Sequence, residues 1–248
     1  MSPPLRWEGG WCINAHGERL YAFHVRHDAG RITRMNPKPG GSYAETLVPP
    51  RESLDVVADT GPDLSRARRA RRIVVDLSVT YQLNRFVTLT YQEEPDVERL
   101  HRDLRLYVRR LRHRYPNLGW IAAMQRGAEK GRPHIHMLLP TCAGSQVVSE
   151  QWHHGLVDVS TTRSIKTLRK AATYLCHDFD LPAEERLTAH RYFKARHLVL
   201  EQSELLLLTM QEMNEWITAN SIEVEWYGHD EQPGFVQSTG YFRPHELI

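Results

Sequence analysis

The chain has 248 residues and a formal net charge of +2, and its 41% hydrophobic and 25% charged residues are ordinary for a globular protein. So small a charge excludes a polycationic protein, so any nucleic-acid surface must be a local patch. No stretch approaches the ~18 apolar residues of a membrane span, the N-terminus lacks an apolar signal-peptide core, and the three cysteines have no zinc-binding or redox spacing. We therefore expect a cytoplasmic protein with reduced thiols and no membrane partner.

The first part of the chain, residues 1–62, is rich in glycine, proline and polar residues. We predict an irregular N-terminal extension here, with at most a small hairpin. A basic run follows, which contains Arg66, Arg68, Arg69, Arg71 and Arg72. A helix capped by Ser65 fits this run, and its arginines either form a solvated face or contact DNA phosphates.

The next segments follow the order strand, helix, strand, strand, helix, strand. The strands are predicted at Phe86–Tyr91, Trp120–Gln125, Pro133–Pro140 and Gly155–Ser160. The first helix has an apolar face that includes Leu100 and Leu104. Its opposite face is basic, either solvated or bound to DNA, and carries Arg99, Arg102, Arg105, Arg109, Arg112 and Arg114. This order predicts the α+β class, with a ferredoxin-like (RRM-like) split βαβ core around a central antiparallel sheet.

Downstream, an apolar stripe predicts a helix over Ile165–Phe179. A basic segment with interleaved aromatics follows at His190–His197. A leucine-rich helix is predicted from about Glu201 to Ala219, and a strand at Ile222–Trp226 precedes coil. The predicted organisation is an extension (1–62), a core domain (63–200) and a C-terminal appendage of helix and tail (201–248).

Two histidines flank one apolar residue in the strand Pro133–Pro140. Strand alternation places His134 and His136 on one face, roughly 7 Å apart along the strand, and Ile135 and Met137 on the core face. Such a pair is either solvated and hydrogen-bonded or binds one metal ion. The neighbouring strand of the hairpin adds Gln125, whose amide oxygen is available as a third ligand.

Tyr174 lies off the apolar stripe of its helix. Lys166, Lys170 and His177 occupy the same face at intervals of about one turn. A tyrosine in such a position is either a half-buried interface residue or a phenol whose hydroxyl lies among cations.

With these motifs in this order, the chain resembles the HUH superfamily of nicking enzymes, and within it the rolling-circle replication initiator (Rep) proteins of plasmids and single-stranded DNA phages. The similar segments are the core strand Phe86–Tyr91, the histidine motif His134–His136, the tyrosine motif Tyr174–His177, the segment Trp152–Val159 and the pair Gln125-Arg126. The resemblance covers about residues 65–197.

The resemblance implies a metal-dependent tyrosine nickase. Such an enzyme cuts single-stranded origin DNA, becomes linked to its 5′-phosphate, releases a 3′-OH primer and later rejoins the strand. Tyr174 would be the nucleophile, assisted by Lys170 and His177. A divalent ion, Mn²⁺ or Mg²⁺, would be held by His134, His136 and Gln125. This chain departs from the family at two of these positions, since the family usually has lysine where His177 stands and often glutamate where Gln125 stands.

Basic residues near these motifs are the expected DNA contacts: Arg66, Arg68, Arg69, Arg71, Arg72, Arg126, Lys166, Arg191 and Lys194. The expected partners are a single-stranded replication origin, a polymerase and a host helicase, since no Gly-x-x-x-x-Gly-Lys-Ser/Thr loop is present. Two alternatives stay open. One is a catalytically degenerate, sequence-specific DNA-binding protein of the same fold, and the other is an HUH nickase of transposition or conjugation.

Overall fold

The computed structural model of the chain describes residues 6–8, 11–13, 16–26, 31–37, 64–127, 131–182, 184–188, 190–219, 224–232 and 235–241. The chain divides into two compact units. One is Asp55–Val199, and the other combines Met1–Leu54 with Leu200–Ile248. Each unit contains its own cluster of buried apolar side chains.

The described elements are short to medium in length. The strands are β1 (Arg6–Glu8), β2 (Trp11–Ile13), β3 (Arg19–Arg26), β4 (Arg31–Pro37), β5 (Arg85–Leu89), β6 (Ile121–Arg126), β7 (Pro133–Leu139), β8 (Val157–Thr161), β9 (Phe193–Lys194), β10 (Glu204–Leu208), β11 (Glu225–Gln232) and β12 (Phe235–Tyr241). The helices are α1 (Leu64–Thr80), α2 (Val97–Arg114), α3 (Ser145–Glu150), α4 (Ile165–Leu175) and α5 (Met210–Ala219). None of the helices in the described ranges is long and apolar enough to cross a membrane.

The unit Asp55–Val199 is built on a five-stranded antiparallel sheet with the order β8-β5-β7-β6-β9. Helix α2 connects β5 to β6, and α3 lies between β7 and β8. The two antiparallel sheets and several helices confirm the α+β class. The order of β5 to β8 is consistent with the predicted split βαβ core.

Helix α2 covers one face of this sheet. The side chain of Asp96 caps its N-terminus by accepting a hydrogen bond from the amide of Arg99 at 2.7 Å. The buried residues of the helix and of the strands form one cluster, which includes Leu100, Leu104, Tyr107, Val108, Leu111, Val87, Leu89, Ile135, Met137 and Leu139. These are the positions that helical and alternating spacing predict as core, and burying each fully stabilises the fold by about 1.5–3 kcal/mol.

Helix α4 packs against α1 and begins at Ser164, which forms a capping box with Thr167. It ends at Leu175, four residues before the predicted end at Phe179. The amide of Cys176 is shared between the carbonyls of Ala172 and Thr173, which tightens the last turn. The chain then continues as a 3₁₀ turn, His177–Asp180, in which Phe179 is still buried.

The other unit contains a seven-stranded sheet with the order β1-β2-β3-β4-β12-β11, and β10 pairs with β3. Its core cluster includes Phe23, Val25, Ile32 and Met213. The irregular extension expected over residues 1–62 is therefore wrong for its described part, which forms four strands. Local patterns missed them because β4 pairs with β12 from the far end of the chain.

The predicted helix over Glu201–Ala219 is also wrong in its first half. Leu205 to Leu208 belong to strand β10, paired with β3, and Leu206 and Leu208 pack against the core of this unit. Helix α5 starts only after Thr209, whose hydroxyl accepts from the amide of Glu212 at 3.1 Å while the Glu212 carboxylate accepts from the Thr209 amide at 2.7 Å. This capping box is visible in the sequence and marks the boundary.

The C-terminal tail also differs from the prediction. A strand was expected at Ile222–Trp226, of which residues 222–223 lie outside the described ranges, and the described strand is β11. The expected coil after it contains β12, which pairs with both β11 and β4.

Candidate active site

Five polar and aromatic residues share the sheet face that α2 does not cover. In the register of the sheet, Thr88 lies opposite His136, and Gln125 lies opposite His134. Cross-strand partners point to the same face of a sheet, as do residues two apart on one strand, so Phe86 joins this group. The sequence prediction that His134 and His136 share a face away from the core agrees with this register.

The two histidines converge through their Nε2 atoms, which lie 2.8 Å apart. Their ring centroids are 4.4 Å apart with an interplanar angle of 75°. Two nitrogens bound at right angles to one ion, each about 2.1 Å from it, would be about 3.0 Å apart. The pair is therefore spaced as two adjacent ligands of one metal ion, and without an ion a single proton joins the two nitrogens.

The hydrogen bonds of the other ring nitrogens determine the tautomers. His134 Nδ1 is 3.2 Å from the carbonyl oxygen of Arg132, which can only accept, so Nδ1 carries the proton and Nε2 has a free lone pair. His136 Nδ1 is 3.1 Å from Thr88 Oγ1, which can donate or accept. Rotation of the Thr88 hydroxyl thus allows His136 either to donate to His134 or to present its own Nε2 lone pair to a metal.

His136 is held in its neutral form. Its side chain is buried, and its ring stacks on Phe86 with centroids 5.2 Å apart. Burial, followed by the proximity of His134 and His177, lowers the pKa of His136 to about 3. A neutral imidazole is the form that binds a metal ion.

Tyr174 lies directly beside the histidine pair. Its ring packs edge-on against His136, with centroids 5.0 Å apart, and against Phe86 at 6.1 Å. The residue is nevertheless 59% exposed, so an incoming strand can reach it. Lys166 and Lys170 are exposed on the same helix, and Lys170 makes no hydrogen bond or ion pair with any described residue.

His177 is oriented by its neighbour. Its Nδ1 lies 2.9 Å from the Asp178 carboxylate oxygen Oδ1, and its side chain is 68% exposed. Because His177 contributes to the lowered pKa of His136, it lies within electrostatic reach of the histidine pair. The carboxylate favours the tautomer with the proton on Nδ1, which leaves Nε2 able to accept a proton.

Gln125 has a role that the sequence did not reveal. Its side chain is buried, and its amide nitrogen donates to the carbonyl of Leu175 and, at 3.3 Å, to that of Tyr174. Both acceptors belong to the last turn of α4, where carbonyls lack intrahelical partners. Gln125 therefore ties β6 to the end of the helix that carries Tyr174, and this contact assigns its oxygen Oε1 to the opposite side of the amide.

The donor set fits a weakly held divalent ion. Among the residues that the structure describes, no group of three or more His, Cys, Asp or Glu side chains is arranged to hold a metal ion. The protein ligands would be the two imidazoles with the Gln125 amide oxygen. Nitrogen and neutral oxygen ligands suit Mn²⁺ better than Mg²⁺.

The expected DNA contacts on α1, α4 and the end of β6 face solvent to different degrees. Arg68 and Lys166 are exposed, whereas Arg69, Arg71 and Arg72 are half-buried, and Arg66 lies in the first turn of α1. Arg126 is exposed at the end of β6, where its Nη1 lies 3.6 Å from Glu94 Oε1.

Two other expected DNA contacts are anchored to the backbone. Arg191 Nε donates to the carbonyl of Phe179 at 3.2 Å, and Lys194 Nζ donates to that of Leu198 at 2.7 Å. Burial lowers the pKa of both. Tyr192 stacks on Phe179 with centroids 6.1 Å apart, and burial raises its pKa to about 12. These contacts favour the structural role that the sequence analysis expected for Tyr192 over a nucleophilic one.

Thr88 and Phe86 are site residues that the sequence analysis did not single out. Both contact His136, one through its hydroxyl and one through its ring. The signal was available, because alternation in Phe86-Val87-Thr88-Leu89 assigns these two residues to the face opposite the core.

Comparison with known proteins identifies one similarity. Residues 84–180 match the family model of replication-associated proteins of the ORF2 and gene 2 protein type. The matched segment runs from β5 through the 3₁₀ turn and contains the histidine pair, Gln125 and Tyr174. No curated protein and no solved structure shows significant similarity to the chain. The match supports a role in the initiation of DNA replication and DNA as a binding partner.

Proposed function

We propose that the chain is a rolling-circle replication initiator that nicks single-stranded origin DNA with Tyr174. The observation that carries this proposal is the packing of an exposed tyrosine ring against a converging pair of histidines. The similarity of this segment to replication-associated proteins gives the activity its substrate class.

The reaction is a transesterification. Tyr174 Oη attacks the scissile phosphorus, the Oη–P bond forms and the P–O3′ bond breaks. The electron pair of the broken bond stays on O3′, which takes up a proton and becomes the 3′-OH primer. One phosphodiester replaces another, so the 5′-phosphotyrosyl link can later rejoin the strand without ATP. Extension of the primer requires a polymerase, and separation of the strands requires a host helicase.

The phenol of Tyr174 must lose its proton during attack. His177, oriented by Asp178, accepts this proton on Nε2. Lys170 provides a cation on the same helix that stabilises the phenolate or the phosphate. Tyr174 itself is positioned by the rings of His136 and Phe86, so its motion is restricted before the strand binds.

His134 and His136, with the Gln125 amide oxygen, are the residues that would hold a divalent ion, Mn²⁺ or Mg²⁺. When bound, such an ion withdraws charge from the scissile phosphate. Thr88 and the carbonyl of Arg132 keep the two Nε2 atoms directed to the same point. The exposed Arg68, Arg126 and Lys166 would contact the phosphates of the bound strand.

The direct test is nicking of a single-stranded origin oligonucleotide in Mn²⁺ by the wild type, Tyr174→Phe and Tyr192→Phe. We expect Tyr174→Phe to lose nicking and to keep its affinity for DNA, because only the nucleophilic oxygen is removed. Tyr192→Phe should nick like the wild type, and EDTA should stop the wild type. Nicking by Tyr174→Phe at the wild-type rate would overturn the assignment.

A sequence-specific DNA-binding protein without nicking activity is the second candidate. The observation in its favour is the absence, among the described residues, of a third charged or imidazole ligand beside the histidine pair. Such a protein would bind the origin oligonucleotide but leave it intact under every metal condition.

A further inference from the structure

Helix α2 carries a row of exposed arginines on its outer side. The helix has seven arginines against two carboxylates, Glu98 and the buried Asp103, in a chain whose formal net charge is only +2. We define the back-face arginines as Arg102, Arg105, Arg109 and Arg112, all of them exposed. Positive charge is therefore concentrated on one helix.

These charges are not balanced by neighbouring carboxylates. Within the described ranges, Arg102 lies 3.7 Å from Asp103, whereas Arg105, Arg109 and Arg112 have no carboxylate within 4.0 Å. Exposed helices that are merely solvated usually mix both signs in i,i+4 pairs. Arginine, rather than lysine, is also the residue whose planar donors match a phosphate.

The row has the length of a few base pairs. Positions 102, 105, 109 and 112 follow each other at intervals of three, four and three, so they share one side of the helix and span about 15 Å. Duplex DNA presents about one phosphate charge per 1.7 Å of its axis, so a straight row of this length faces several phosphates.

The row lies on the opposite side of the sheet from Tyr174. Helix α2 packs on the face of Ile135 and Met137, whereas the histidine pair and Tyr174 lie on the other face. A phosphate bound by the back-face arginines thus cannot be the scissile phosphate at Tyr174. It must belong to another segment of DNA.

The chemistry of the row fits duplex rather than single-stranded DNA. Unpaired bases are bound largely by stacking on aromatic rings, and the exposed positions of α2 hold no Phe, Tyr or Trp, since Tyr107 is buried. We propose that the back-face arginines bind the phosphate backbone of duplex DNA that flanks the nicking site. This inference rests on the proposed function, because it assigns a second DNA segment to the same enzyme.

The test compares Arg105→Gln/Arg109→Gln with a control that removes two other exposed arginines, Arg163→Gln/Arg196→Gln. Binding is measured on two DNAs over a range of about 50 to 300 mM salt, because the salt dependence of binding reports the number of phosphate contacts. One DNA is the bare single-stranded origin oligonucleotide, and the other is the same oligonucleotide with a duplex flank.

On the flanked DNA, we expect Arg105→Gln/Arg109→Gln to reduce the slope of log K against log salt by about 2, because two phosphate contacts are lost. The control should reduce it less, and both variants should nick the bare oligonucleotide like the wild type. An unchanged slope on the flanked DNA, an equal loss with the control, or an equal loss on the bare oligonucleotide would each overturn the proposal. Failure of the proposed function would instead be seen as absent nicking of the bare oligonucleotide by the wild type.

Discussion

At the scale of single residues, Gln125 distinguishes a ligand from a positioning residue. Its amide nitrogen donates to two carbonyls at the end of α4, and a glutamate there would bring a carboxylate against both oxygens. We expect Gln125→Glu to lower the free energy of unfolding by about 1–3 kcal/mol and to slow nicking, although a carboxylate is the stronger metal ligand. Urea unfolding and single-turnover nicking measure the two effects.

The matched control is Gln125→Met, which keeps the size of the side chain and removes both donor and acceptor. It should lose stability as Gln125→Glu does. If Gln125→Glu instead keeps its stability, binds Mn²⁺ more tightly and nicks faster, Gln125 acts only as a ligand and does not position Tyr174.

His177 carries the second prediction at this scale. Replacing it with alanine removes the proton acceptor, so nicking should slow by about 10²–10⁴-fold while DNA binding is retained. Free imidazole added to His177→Ala should restore part of the rate, because it can enter the space left by the side chain. A wild-type rate for His177→Ala, or no effect of imidazole on a slow variant, would remove His177 as the proton acceptor.

At the scale of elements, the loop before β8 packs directly over the end of β5. Trp152 Nε1 donates to the carbonyl of Thr90 at 2.8 Å, and Thr90 and Leu156 exchange hydrogen bonds. A Cβ added at Gly155 would lie 2.8 Å from the Thr90 carbonyl carbon and 2.9 Å from Tyr91 Cα. Neither backbone atom can move away without breaking these bonds.

We therefore expect Gly155→Ala to lower the free energy of unfolding by about 1–3 kcal/mol in urea. Gly127→Ala is the matched control, since its Cβ would meet no atom of the described residues closer than 3.5 Å. The control should change stability by no more than about 1 kcal/mol. Equal stability of both variants would show that the loop does not pack closely on β5.

The elements also show how far the sequence predicts this fold. Strands β5 to β8 and helix α2 follow from local periodicity because each has one buried face. The strand β10 was read as helix because a run of four leucines satisfies both periods, and pairing with β3 decided between them. Strands β4 and β12 were missed because their partners are about 200 residues apart in the chain.

At the scale of the whole molecule, each compact unit contains its own apolar cluster. The larger cluster lies wholly within Asp55–Val199, close to the core domain predicted at 63–200. We expect a fragment of residues 55–199 to unfold in urea in one cooperative transition, because no member of its core is removed. A fragment that binds hydrophobic dyes and shows no cooperative transition would contradict this.

The candidate site needed both local and long-range information. Strand alternation alone predicts that His134 and His136 share a face, and the register adds Gln125. The contact between His136 and Tyr174 depends on how α4 packs over the sheet, which no local pattern determines. The row of arginines on α2 was visible in the sequence, but its position behind the sheet was not.

The most direct measurement is mass spectrometry of the denatured reaction of the chain with an origin oligonucleotide in Mn²⁺. The proposed function predicts an SDS-resistant adduct whose digest contains one peptide linked through Tyr174 to the 5′-phosphate of the downstream product, with a free 3′-OH on the upstream product. Tyr174→Phe should yield no adduct. Cleavage without an adduct, an adduct on another residue, or binding without cleavage would contradict the central claim.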